Sequence, residues 1–346
     1  MRDDILLEIK DLTVQFNMFE GVIQAVEHLS LTVRKNRVLG IIGESGSGKS
    51  VTVQNILRIL PSPPGRVTGG EILFNREKSD GMSSVVDILK LDPQGAEIRS
   101  IRGKDISMIF QEPMTSFGPL DTIGRQICEV VLTHEPDVTK KDARERAIEL
   151  LRAVGIPRAE KVVDDYPHQL SGGMRQRAMI AMGLVCRPKL LLADEPTTAL
   201  DVTVQAQIIR LLRRLIKEYN MTMIYITHNL AVVSDIADEV AVMYLGNLCE
   251  LAPVRELSVN PKHPYTKALW KSIPSVIGNV ERLYPIKGVM PSLAEVPEGC
   301  VFCSRCEEMI PGVCDGTKRP ELNEISPGHF VRCFRYGQEP KEKEGA

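Results

Sequence analysis

The stretch Gly43-Glu44-Ser45-Gly46-Ser47-Gly48-Lys49-Ser50 limits what this chain can fold into more than any other. It fits the G-x-x-x-x-G-K-[ST] phosphate-binding pattern. With ordinary glycine usage, the four fixed positions match by accident in roughly one chain in a hundred of this length. The flanks have the right character. Val38 to Ile42 is a short apolar run that reads as a buried strand. From Ser50 to Leu60, residues Val53, Ile56, Leu57 and Leu60 fall on one side of a helix, and Pro61 stops it. Gly43, Gly46 and Gly48 let the backbone close around an anion. Successive N–H groups of Glu44, Ser45, Ser47 and onward to Val51 then point at it, with the positive end of the helix behind them. Lys49 is placed to reach the β/γ-phosphates, and the Ser50 hydroxyl to ligate Mg²⁺.

A length of 346 residues allows two or three domains. A formal net charge of −2 gives no case for nucleic-acid or anionic-membrane binding. The N-terminus is acidic, with no apolar signal core, and no apolar run approaches the ~18 residues of a spanning helix. A cytoplasmic protein is expected, with any membrane role carried by a partner. Eight cysteines are present. Cys128, Cys186 and Cys249 are scattered and read as small buried side chains. Cys300, Cys303, Cys306, Cys314 and Cys333 crowd the C-terminal end, which in a reducing cytosol argues for a metal site over disulfides.

Along the chain, residues 5–16 and 29–33 alternate as antiparallel strands. Phe16 is a candidate flat partner for a base, with Phe19 the other choice. Residues 61–70 read as a proline- and glycine-rich loop. A strand over 71–74 follows, and 75–100 read as a polar surface insertion. Ile106 to Phe110 is a strand ending at Gln111. Residues 112–175 read as a helical subdomain inserted into an α/β core. Ser171 is an N-cap, and Gly172 and Gly173 expose amides at the start of a helix that runs to about Cys186. Leu190 to Ala193 is a wholly apolar strand with Asp194 and Glu195 at its tip. That position suits a Mg²⁺-holding carboxylate followed by a residue that orients or deprotonates water. Val202 to Tyr219 is an amphipathic helix. Met221 to Thr227 is a strand leading to His228, and Glu239 to Tyr244 is the last core strand.

These residues, in this order, resemble the ATP-binding subunits of ABC transporters over about residues 1–250. Gly43–Ser50 is similar to the Walker A loop, Gln111 to the Q-loop glutamine, and Leu170-Ser171-Gly172-Gly173-Met174 to the signature. Asp194 and Glu195 resemble the Walker B aspartate and the catalytic glutamate. Ala199-Leu200-Asp201 resembles the D-loop and His228 the switch histidine. The implied fold is α/β: a P-loop NTPase core with an antiparallel β subdomain, an inserted helical subdomain and a small cysteine-rich extension over 251–346. The implied ligands are ATP and Mg²⁺, the latter near Ser50, Gln111 and Asp194. Phe16 stands where tyrosine is common in the family.

Two further stretches narrow the resemblance to the dipeptide/oligopeptide importer branch: Ile109-Phe110-Gln111-Glu112-Pro113-Met114-Thr115-Ser116 and His263-Pro264-Tyr265-Thr266-Lys267-Ala268-Leu269. Members carry the pattern Gly-Cys-x-Phe-x-x-Arg-Cys and two later cysteines, met here by Gly299 to Cys306, Cys314 and Cys333. In some members this resembles a [4Fe–4S] site, which implies Cys300, Cys306, Cys314 and Cys333 as ligands. Cys303 departs from the pattern and is an alternative ligand, and four thiolates also suit Zn²⁺.

The resemblance implies a second ABC ATPase subunit, a related heterodimer partner in branches of this type, whose signature motif closes the γ-phosphate side of this Walker loop. It implies two transmembrane permease subunits, an extracellular solute-binding protein acting indirectly, no nucleic acid, and a place on the cytoplasmic face of the cell membrane. Oligosaccharide or nickel cargo is an alternative within the branch. A non-transport ABC ATPase of repair or translation is another, as is an iron–sulfur redox enzyme with a borrowed nucleotide domain. Repair members carry long coiled-coil inserts and translation members two cassettes in one chain, and neither is present in this sequence.

Overall fold

The computed structural model describes residues 2–19, 21–77, 83–111, 116–198, 200–272, 286–293 and 295–337. Glu112 to Thr115 of the branch-specific stretch, and Ala199 before the D-loop aspartate, lie outside them.

β3 (Val38–Ile42) is buried at every position, and the main sheet is built outward from it. On one side it pairs in parallel with β8 (Thr222–Ile226), followed by β7 (Leu190–Asp194) and β6 (Ile106–Ile109). On the other side it pairs in parallel with β9 (Glu239–Tyr244). β7 and β8 are likewise buried throughout. Strands covered on both faces read as continuous apolar runs, and for that reason these were readable without alternation. Their C-terminal ends lie on one edge, where open α/β sheets place ligands.

A second, four-stranded antiparallel sheet has the order β2-β1-β4-β5. It consists of β1 (Ile5–Met18), β2 (Gly21–Arg34), β4 (Gly65–Glu77) and β5 (Ser83–Asp87). Two expectations are corrected here. The proline- and glycine-rich stretch gives way to strand at Gly65, which pairs with Phe16 of β1. The polar 75–100 region contributes β5, paired with β4 from Leu73–Asp87 to Glu77–Ser83. One face of this sheet is open to solvent, so its strands carry many polar residues and resemble loops in composition.

The helices Ile123–His134, Lys140–Ala153 and Gly172–Leu184 form the helical region. Thr122 and Thr139 cap the first two by accepting the N–H of Arg125 and Asp142. Ile127, Val131, Ala147, Leu151 and Met179 share a core with the β3–β8 face of the sheet. The helix after the phosphate loop is shorter than expected. It spans Lys49–Ile56 and leaves Leu60 outside.

β9 is not the last core strand. β10 (Asn247–Pro253) turns back antiparallel to β9, so a boundary at 250/251 would cut through it. Its signal was masked by Glu250, a fully buried carboxylate in the middle of an apolar run. From the C-terminal segment, β12 (His329–Arg332) pairs with β10, and β11 (Leu322–Ser326) pairs with β12, completing eight strands. The cysteine-rich extension therefore continues the central sheet. Of the scattered cysteines, Cys249 is buried, while Cys128 and Cys186 are only half-buried.

Candidate functional site

Gly43, Gly46 and Gly48 have φ of 155°, 81° and 93°. A Cβ on Gly43 would lie 2.2 Å from the Met243 carbonyl oxygen, so the loop closes there only around glycine. Ser47 is fully buried. The Lys49 ammonium is buried and donates to the Gly43 and Glu44 carbonyls, both at 2.9 Å, and to Ser47 Oγ at 3.3 Å. Burial pulls its pKa below the ordinary lysine value, opposed by the charges of Glu195, Asp194 and Glu44. Ser45 and Gly46 are exposed, and Val51 lies in the first turn of the helix.

Ser50 Oγ donates to Asp194 Oδ1 at 3.0 Å, joining positions 144 apart in sequence. Burial raises the Asp194 pKa, partly offset by the Ser50 hydrogen bond. A hydroxyl and a carboxylate meeting beside a phosphate loop form a hard-oxygen donor pair of the kind Mg²⁺ takes, so these residues fit that ion.

Glu195 follows at the tip of β7 with φ 45°, a region sparsely populated by non-glycine residues. Its N–H is held by the Ile226 carbonyl at 3.0 Å. Three side chains converge on its Oε2. His228 Nδ1 lies at 3.1 Å, Thr198 Oγ1 donates at 2.9 Å, and Gln111 Nε2 donates at 3.5 Å. Gln111 thus faces Glu195, and no hydrogen bond from its side chain to Ser50 or Asp194 is seen. Thr198 was not singled out in the sequence. Its position three residues after Glu195, in the turn after the strand, is the only signal it gives.

Ser171 accepts the Met174 N–H and caps the helix Gly172–Leu184. Asp201 caps Val202–Glu218 by accepting the Val204 N–H at 2.9 Å. A Cβ on Gly173 would lie 3.3 Å from Val204 Cγ1, so these two helix starts are neighbours. Ser171 and Gly172 are exposed. Phe16 is half-buried in β1 opposite Ile23 and Gly65, and Phe19 is fully exposed.

Cys300, Cys303, Cys314 and Cys333 are buried and Cys306 half-buried. Burial pushes the Cys300 thiol up to about 12, with Cys314, Cys333 and Cys306 adding to the shift. Cys306 is pushed up to about 11 by burial, with Cys333 and Cys314 contributing. Cys303 is raised by burial, with Asp315 and Cys314 adding to the shift. All five thiols of the motif are thus linked through Cys314, Cys303 included. Among the described residues, no group of three or more His, Cys, Asp or Glu stands ready to hold a single metal ion. A lone Zn²⁺ needs its sulfurs about 2.3 Å from one point.

A phosphate loop, an acidic strand tip and a histidine after the next strand, on the C-terminal edge of a parallel sheet, define a P-loop ATPase. The ABC transporter family model matches residues 26–198. The dimeric ATP-binding cassette MJ0796 superposes with a TM-score of 0.61 at 27% identity, covering 72% of this chain and 99% of that one. Its post-hydrolysis form, bound to ADP and Pi, matches equally well.

The branch is shown by the rest of the chain. Residues 249–314 match the oligopeptide/dipeptide transporter C-terminal region. A probable peptide ABC transporter ATP-binding protein of Sinorhizobium fredii is 46% identical, over 96% of this chain and 95% of its own. The oligopeptide transport ATP-binding protein OppD of Bacillus subtilis is 45% identical, over 95% and 88%. The chain belongs to the ABC transporter ATP-binding family, in its oligopeptide/dipeptide branch, and is an ATP-hydrolysing subunit. Among the described residues no helix is long and apolar enough to cross a membrane.

Proposed function

We propose that this chain powers the import of di- or oligopeptides, from the cytoplasmic face of the membrane, as one of two related ATPases bound to two permease subunits. An extracellular solute-binding protein acts indirectly, by delivering cargo to the permeases. The observation that carries this reading is the match of residues 249–314 to the oligopeptide/dipeptide transporter C-terminal region, joined to a phosphate loop whose Ser50 meets Asp194. Copurification tests it. The tagged chain, expressed with its neighbouring genes, is expected to bring down two membrane subunits and a second ATPase. Its ATP turnover in vesicles is expected to rise when peptide-loaded binding protein is added. Turnover indifferent to peptides but raised by a sugar or Ni²⁺ would reassign the cargo.

In this reading, Gly43 to Val51 bind the phosphates, Phe16 stacks on the base, and Ser50 and Asp194 hold Mg²⁺. Bound Mg²⁺ supplies neutralising charge at the β- and γ-phosphates. Glu195 takes the proton of the attacking water, oriented by His228 and Thr198. Gln111 links Glu195 to the helical region. Ser171, Gly172, Gly173 and Asp201 face the partner subunit's nucleotide.

We further propose Cys300, Cys306, Cys314 and Cys333 as ligands of a [4Fe–4S] cluster, with Cys303 as the alternative ligand. A bound cluster would cross-link the end of β12 to the loops before it, so that its binding adds to the stability of the fold. Anaerobic purification followed by iron, sulfide and zinc analysis checks this. About four irons and four sulfides per chain are expected. One zinc per chain would replace the cluster with a single-ion staple.

A further inference from the structure

The sequence motif around the cysteines contains an arginine that does not face them. Arg305 lies 261 positions from the phosphate loop, yet it binds the loop's second residue. Its Nη1 and Nη2 donate to Glu44 Oε2 and Oε1 at 2.6 and 3.1 Å. The remaining contacts lock the guanidinium in place: Nη1 also donates to the Tyr244 hydroxyl at 3.2 Å, and Nε to the Lys287 carbonyl at 3.0 Å. Its charge lies 5.7 Å from the centroid of the Tyr244 ring. The Arg305 side chain is 4% exposed, and that of Glu44 29%. A planar fork that is buried and bonded at both ends holds a carboxylate in one orientation, as a lysine cannot.

Glu44 is gripped on its main chain as well. Its N–H donates to the Tyr265 hydroxyl at 3.0 Å, and its carbonyl accepts from Lys49 Nζ at 2.9 Å. Tyr265 packs against Phe302 of the cysteine motif with ring centroids 5.3 Å apart, and Phe302 packs on Tyr244 at the same spacing. Glu44 therefore sits between the lysine that meets phosphate and a buried platform supplied by the C-terminal segment. A free carboxylate at this point would repel a polyphosphate and compete for Lys49.

We propose that Arg305 is a positioning residue for the nucleotide site, holding the Glu44 carboxylate turned away from the phosphates. The C-terminal extension thereby sets the affinity of the phosphate loop for Mg·ATP. The proposal rests on the nucleotide site but not on any metal at the cysteines.

The test compares Arg305→Gln, Glu44→Gln and the double variant in the full-length chain. Mg·ATP affinity is read by titration calorimetry, KM and kcat by steady-state turnover, and folding by melting. Arg305→Gln is expected to raise Kd and KM by about threefold to tenfold, because it leaves a charge unpaired, with kcat at saturation within about twofold. Removing that charge as well is expected to rescue affinity, bringing the double variant close to Glu44→Gln alone. Unchanged KM in Arg305→Gln would overturn the proposal, as would effects that simply multiply in the double variant. Where Arg305→Gln does not fold, Arg305→Lys carries the same comparison: it keeps the charge but loses the fork, and an unchanged KM there overturns the idea equally. Failure of the wild-type chain to bind Mg·ATP would instead strike at the nucleotide site itself.

Discussion

Replacing Glu195 by glutamine is expected to leave Mg·ATP binding within about twofold of wild type while cutting turnover by roughly 10²–10⁴. Binding survives because the groups that meet phosphate are elsewhere. Lys49 is held by the loop's own oxygens, and Ser50 pairs with Asp194. Turnover falls because glutamine has nearly the same shape but no basic carboxylate. In the native site, Oε2 is the shared partner of His228, Thr198 and Gln111. The backbone at Glu195 is held in a disfavoured conformation by the neighbouring strand, an expense that a solvated surface glutamate would not need. Single-turnover and steady-state rates in the assembled transporter, alongside nucleotide affinity, are the measurements. Near-wild-type turnover would remove Glu195 from the base role. A loss of binding as large as the loss of turnover would make it a structural support for the loop. His228→Ala provides the ordering within the cluster. A residue that orients Glu195 is expected to cost less than Glu195 itself.

The parts of this site that were legible in the sequence are those where chemistry and chain are local. Gly43–Ser50 carries its own strand, turn and helix. Asp194 and Glu195 announce themselves as acids at the end of an apolar strand, and His228 follows the next one. What was hidden are the pairings across the fold. Nothing near Glu44 signals that its partner is Arg305, and nothing near Arg319 signals that it bonds Glu27 of β2 at 3.0 Å. Polar residues in half-open strands were misread for a related reason. β5 pairs along its whole length but alternates exposed and half-exposed positions, so its composition is that of a surface loop. The C-terminal segment misled most. Rich in proline and poor in periodic apolar residues, it looks like an appended tail that only a metal could hold. The described part of it is held by strand pairing and by buried polar contacts, and sequence periodicity reports neither.

Glu250→Ala is the substitution expected to loosen that attachment most, by about 3–5 kcal/mol. Glu250 is fully buried in β10, and three donors from the C-terminal segment point at its carboxylate. The Lys262 N–H reaches Oε1 and the His263 N–H reaches Oε2, both at 2.8 Å, and His329 Nε2 lies 2.7 Å from Oε1. Alanine strands all three where the wild-type side chain is fully buried, and each orphaned group carries a desolvation cost. The damage would spread along the chain. His263 caps the helix Pro264–Lys271 by accepting the Tyr265 N–H, a role open to it because burial pulls its pKa down to about 3 and leaves the ring neutral. Tyr265 in turn supports Glu44. A loss of this size is a large fraction of the 5–15 kcal/mol typical of a folded domain. It is expected to lower the melting temperature by about 6 °C or more, whereas Glu218→Ala, at an exposed helix end, is expected to change it little. Glu250→Gln is expected to fall between the two, because its amide keeps one acceptor but sets an N–H against a donor. Thermal melting of the three variants, with limited proteolysis to see whether the segment after Pro253 is cut first, decides the matter. A melting temperature for Glu250→Ala indistinguishable from that of Glu218→Ala would mean that the strand pairing of β10 with β12 holds the extension without the carboxylate.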